Sequence, residues 1–99
     1  MVKHIVLFKL KETLSAAEKL EVMTQFKVAI EALPASIEVI RHIHVGINMN
    51  PAEQWDLALD SVFDSLEDVK VYAGHAAHVA AAAILKDAKA DRACVDYTF

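Results

Sequence analysis

The sequence is poor in the residues that bend chains and in the one that cross-links them: two glycines, two prolines and one cysteine in 99 residues. A lone Cys94 forms no intramolecular disulfide and builds no thiolate metal cluster within one chain, which suits a reducing, cytoplasmic setting. So little Gly and Pro leaves no linker or low-complexity tail. The 56% hydrophobic content lies above the ordinary range of about 45–50%, which argues against disorder. No apolar run is long enough to span a bilayer: the longest stretch of low charge, Val71 to Leu85, is too short and carries two histidines. The opening "MVKHIVLFKLKE" alternates with charge and lacks the core of a signal peptide. A formal charge of −4 without a Lys/Arg cluster gives no footprint for a phosphate backbone, so no nucleic-acid partner is expected. No zinc-protease motif, P-loop or dinucleotide glycine pattern occurs, and neither metal nor cofactor is expected.

What is present alternates. Val2, His4, Val6, Phe8 and Leu10 share one face of a strand, with Lys3, Ile5, Leu7 and Lys9 on the other, so both faces carry apolar residues. "SAAE" at 15–18 has the form of a capping box, and Leu20, Met23, Phe26, Ile30 and Leu33 follow at helical spacing; a helix is expected over 16–33, ending before Pro34. The β-branched stretch 36–48 reads as a second strand and 54–63 as a third. Ser65 can cap a second helix running through "AAAAILKDAK", interrupted near Gly74, and 93–99 reads as strand four. The order β-α-β-β-α-β is the ferredoxin-like plan of the α+β class: a four-stranded antiparallel sheet with two helices on one face. Two helices cover one face, while strands one, two and four are apolar on both; a homodimer packed sheet on sheet into an α+β barrel resolves this.

Several stretches carry a further likeness. "VKHIVLFKLK" at 2–11, "VGIN" at 45–48, "WDLALDSVFDSLEDVKVYAGHAAHV" at 55–79 and "CVDYTF" at 94–99 together resemble the stress-responsive A/B barrel domain (Dabb) family, with residues 1–99 as one domain. The resemblance implies a dimeric α+β barrel. It also implies a range of roles, from stress-associated plant proteins and small bacterial proteins without an assigned reaction to a cofactor-free plant cyclase that folds a linear polyketide by aldol condensation. In that cyclase a histidine acts as base and a tyrosine helps hold the substrate; His78 and Tyr72 are the matching positions, and His4 matches a histidine lining the site. Lys27 and Leu57 stand where the cyclase has a further pocket tyrosine and histidine, and Ala76 stands where the family commonly has proline.

Imidazole near its ordinary pKa of about 6.5 removes protons at neutral pH, and a neighbouring phenol donates to a developing enolate oxygen. On one continuous helix Tyr72, His75 and Val79 share a face with Ala82, and His78 lies on its flank beside Leu85, with small alanines leaving space. His78 and Tyr72 are therefore the candidate catalytic pair, with His4, His75 and Asp96 as candidate substrate-binding residues. Asp96 on strand four could orient His4 or His78. The residues alone leave a bland reading open, in which these rings only pack and bond to backbone carbonyls or Asp96. His42 and His44, about 7 Å apart by strand rise, share a face with Glu38, a donor set that suits a metal but is more often solvated or at an interface. Asp56 and Asp60 read as solvated or edge charges, and Cys94 as a small buried hydrophobe. Two functions stand: a cofactor-independent lyase or cyclase acting on a small oxygenated, hydrophobic or polyketide-like molecule, and a non-catalytic ligand-binding or stress-associated scaffold dimer.

Overall fold

A computed structural model describes all 99 residues. The alternation at the N-terminus becomes strand β1 (Val2–Leu10), whose even-numbered residues are buried while its odd-numbered ones are half-exposed. Ser15 starts helix α1 (Ala16–Glu31): its Oγ accepts from the Glu18 amide at 3.1 Å, and the Glu18 carboxylate accepts from the Ser15 amide at 2.9 Å. That reciprocal bonding satisfies two of the amides a helix start leaves unpaired. Met23, Phe26 and Ile30 form the buried stripe of α1.

Strand β2 (His42–Ile47) begins later than position 36. A 3₁₀ turn over Leu33–Ala35 and hydrogen bonds from Ile37 N to Leu33 O and from Ile40 N to Ile37 O carry the chain round instead. Ile37 and Ile40 are buried in this connection, so the β-branched density there reflects a core-facing turn. Strand β3 (Leu57–Phe63) also starts later than expected, at Leu57 rather than residue 54; Asp56, just before it, still donates from its backbone N to Phe8 O and accepts from Asn48 N at its backbone O, both at 2.9 Å, and its carboxylate accepts from Leu10 N at 2.7 Å. Asp56 is therefore bound to backbone and Asp60 to Lys3 Nζ at 2.8 Å, so neither is simply solvated.

The second helix divides in two: α2 (Leu66–Gly74), capped by Ser65, and α3 (Ala76–Ala82), followed by a 3₁₀ turn over Ala83–Leu85. Strand β4 (Lys89–Thr98) starts four residues before 93 and takes up the end of the stretch expected to be helical. The sheet order is β2-β3-β1-β4, with every neighbouring pair antiparallel. This is a ferredoxin-like fold. Phe26, Ile30, Phe63, Tyr72 and Leu85 form the middle of the core, between the sheet's inner face and the helices. Edge strand β2 is protected by α1: Lys27 Nζ donates to Val45 O at 2.6 Å and Glu31 accepts from Val45 N at 3.0 Å. Edge strand β4 is exposed along its length. Cys94 is accordingly exposed, not buried as expected, because it stands on a strand the helices leave uncovered.

Candidate functional site

Between β1, β3, β4 and the three helices lies a cleft of about 140 Å³, walled mainly by apolar side chains. His4, Tyr72 and His78 project into it from three different elements. Tyr72 holds the centre: its ring lies 4.4 Å from that of His78, 5.1 Å from Phe63 and 6.0 Å from His4, centroid to centroid. The residue is 1% exposed, yet its hydroxyl has no hydrogen-bond partner. A buried polar atom left unpaired costs about 1–3 kcal/mol, so such groups are rare unless something else meets them. Burial pushes the phenol's pKa up to about 12, with nearby Arg92 acting the other way, so Tyr72 keeps its proton and can donate it in a hydrogen bond at neutral pH.

His78 is half-buried, and its Nδ1 lies 2.9 Å from Ala73 O. A carbonyl only accepts, so Nδ1 carries the hydrogen and Nε2 carries the lone pair. Burial holds the imidazole below its ordinary pKa; the Ala73 bond opposes that shift, and His4 and Arg92 add to it. His78 is therefore a neutral ring with a free basic nitrogen, next to a phenol with an unused proton.

His4 is buried and its Nδ1 lies 2.5 Å from Asp96 Oδ1. The register sets the two residues opposite each other on adjacent strands, so Asp96 orients His4 rather than His78. Ser61, fully buried on β3, donates to His4 O at 2.8 Å and fixes the backbone behind the ring; no pattern in the sequence marks this serine. His4 Nδ1, Cys94 Sγ and an Asp96 oxygen all lie within 4.8 Å of one another, which makes them the set of donors nearest to a metal site. The short bond to Asp96 already occupies the His4 nitrogen.

His75 stands apart. Its backbone is extended (φ −68°, ψ 137°) between α2 and α3, and its Nδ1 accepts from Ala77 N at 3.0 Å, so it caps α3 instead of lining the cleft. The continuous helical face joining Tyr72, His75 and Val79 is therefore broken, and Val79 is exposed. His44 pairs with Glu31 at 3.0 Å rather than with Glu38, which lies in the turn before β2. Lys27, at a position where a pocket tyrosine was the comparison, is used on the β2 edge. Lys89 and Arg92 at the cleft mouth were missed by the sequence reading; their place depends on the β1–β4 register.

The stress-responsive A/B barrel domain model matches residues 2–99. The chain belongs to this family. Among solved structures, this A/B barrel chain is similar to a dimeric protein of ferredoxin-like fold and unknown function from Bacteroides fragilis, at 63% identity and a TM-score of 0.98, covering 99% of this chain and 95% of that one. An Arabidopsis thaliana protein is similar at 27% identity and a TM-score of 0.73, covering 99% and 94%. A hydroxynitrile lyase from Passiflora edulis shares the fold at 19% identity and a TM-score of 0.72, covering 97% and 90%. No curated protein sequence matched the A/B barrel chain. No helix is long and apolar enough to cross a membrane.

Proposed function

We propose that this A/B barrel chain works as a homodimer packed outer sheet face on outer sheet face. In this reading each protomer's cleft binds a small, oxygenated, partly apolar molecule for cofactor-independent lyase or cyclase chemistry. The dimer is supported by the similar Bacteroides fragilis protein, described as dimeric, and by the outer face itself. There Ile5, Leu7, Ala93 and Val95 line a shallow apolar depression, flanked by half-exposed Tyr97.

The chemistry rests on one observation, the unpartnered Tyr72 hydroxyl buried beside the lone pair of His78. His78 Nε2 takes a proton from the substrate, at a hydroxyl or at a carbon next to a carbonyl. Tyr72 donates a hydrogen bond to the oxygen on which charge develops, and with a pKa near 12 it stabilises that charge without giving up its proton. In the lyase direction the oxygen's electrons form a carbonyl as the adjacent C–C bond breaks, and the imidazolium gives its proton to the enolate or cyanide released. In the cyclase direction the enolate carbon bonds to a second carbonyl carbon of the same molecule, and the imidazolium protonates the alkoxide so formed. The Asp96–His4 pair holds the neighbouring ring in place. An apolar cavity of roughly 150 Å³ holds a benzene-sized guest, so the cleft suits one ring or a short branched chain better than an extended polyketide.

A second reading, a non-catalytic binding or stress-associated scaffold dimer, draws support from that same volume, which lies below the roughly 300 Å³ at which ligand pockets usually begin. Turnover of small β-hydroxy carbonyl compounds and cyanohydrins, followed by the aldehyde released, separates the two. Turnover should be lost in His78→Ala while sedimentation shows the dimer intact. Activity that survives in His78→Ala removes His78 from the mechanism, and ligand binding without turnover of any compound favours the scaffold.

A further inference from the structure

We infer that the ligand is an anion, a small carboxylate whose apolar body enters the cleft and whose carboxylate stays at the mouth between Lys89 and Arg92; this rests on the cleft being a ligand site. Both side chains line the cleft, from strand β4, in a chain whose formal charge is −4. Neither is neutralised: every other ion pair in the fold joins different residues, and the nearby Asp91 carboxylate accepts from the Arg92 backbone amide rather than from its guanidinium.

The strand register shows how the two cations come together. From Val2↔Thr98 to Lys9↔Asp91 the pairing of β1 with β4 runs without interruption, and it places Arg92 opposite Phe8 on the inner face. Strict continuation would set Ala90 opposite Leu10. The register instead shifts between Lys9 and Leu10, so that Lys89 stands opposite Leu10 and joins the lining. A bulge that re-aims one side chain beside a site is a recurrent device, and here it exchanges a methyl group for an ammonium. The polar end of the cleft therefore holds two unpaired cations, the unpartnered Tyr72 hydroxyl lies deeper, and the walls between are apolar. Tyr72, His78, Lys89 and Arg92 all line this one cleft, so one small molecule can meet all four groups. A carboxylate fits a guanidinium fork and an ammonium together, and such charge-assisted bonds are the stronger kind.

The test uses carboxylate–carboxamide pairs of nearly equal shape, benzoate with benzamide and isovalerate with isovaleramide, titrated into the full-length protein. The shifts of the His78 Cε1–H and the Leu85 methyl resonances are followed. Each carboxylate is expected to bind roughly tenfold more tightly than its amide at low salt, with the preference shrinking as NaCl is added. Lys89→Gln/Arg92→Gln should erase it; both side chains are exposed, so the fold is not at stake, and the wild-type salt dependence gives an independent reading. Equal binding within the pairs, or a preference that survives in the double variant, overturns the anion assignment and leaves the cleft as a ligand site. If neither member of either pair moves those resonances, the ligand site and the anion assignment both fall.

Discussion

Removing the Tyr72 hydroxyl should make the protein more stable. In most cores Tyr→Phe deletes a hydrogen bond and costs stability, but here the oxygen is buried at 1% residue exposure with nothing to bond to. The ring contacts with Phe63, His78 and His4 survive in Tyr72→Phe, and only the desolvated hydroxyl goes. An unsatisfied buried group costs about 1–3 kcal/mol, so recovering the lower part of that range gives a gain of about 1 kcal/mol. For a domain of this size that is about 4–8 °C in Tm. Urea unfolding at a fixed protein concentration measures it: the midpoint should rise with the slope unchanged, and the concentration must be held because association adds to apparent stability.

The pH dependence sharpens the test. The phenol's pKa is about 10 in the unfolded chain and about 12 in the fold, so the folded state holds the proton more tightly. Stability from this group is complete below pH ~10 and is lost as pH rises through the folded value, so the advantage of Tyr72→Phe should grow from about pH 10 to about pH 12 and then level off. A lower urea midpoint for Tyr72→Phe would refute the reasoning, because it would mean that the hydroxyl is satisfied in the resting protein and is not held in reserve for a ligand. The expected pairing, a more stable variant that has lost ligand binding, is the usual mark of a group kept for function at a cost to the fold.

Two further outcomes follow from the same region. The His78 Cε1–H resonance should titrate with a midpoint below about 6.5, and Arg92→Gln should raise it; a midpoint above that value would mean that burial does not dominate. The sign follows from the lowered pKa: the contribution of His78 to stability is present above the unfolded value and is lost as pH falls through the folded one. Gly74→Ala should stabilise the protein by about 0.4–1 kcal/mol in urea unfolding, since Gly74 has no positive φ and a Cβ there meets no atom within 4 Å; destabilisation would show that the helix break needs glycine.

The helix break shows where the sequence stops being readable. Gly74 is the residue that suggested an interruption, yet its backbone is one that alanine adopts equally well. The break is made by His75, whose extended backbone ends α2 and whose ring nitrogen takes the Ala77 amide that would otherwise be orphaned at the start of α3. Serine and aspartate advertise themselves as caps, and Ser15 and Ser65 were legible on that ground. A histidine flanked by alanines reads first as chemistry, and its local use as a cap shows only in the backbone. Likewise the isoleucines before β2 read as part of a strand and lie instead in a buried turn, because hydrophobic density reports burial more directly than conformation.

Alternation tells which face of a strand a residue occupies but not which residue it meets across the ladder, and the cleft is built largely from that second kind of information. Asp96 could be singled out as an orienting carboxylate from its face alone; that it holds His4 follows from a pairing that joins the two ends of the chain. The same pairing, shifted by one residue after Lys9, brings Lys89 to the mouth beside Arg92, and a strand read in isolation would have sent that side chain to the other face. The rings of His4, Tyr72 and His78 come from β1, α2 and α3, and local spacing together with the family likeness named them in advance although the break between the two helices was not legible. The charged rim comes from an edge strand whose register is a property of the whole sheet. In a common fold shared among unrelated chemistries, variation at such a rim can change which molecules are admitted while the rings beneath it stay in place.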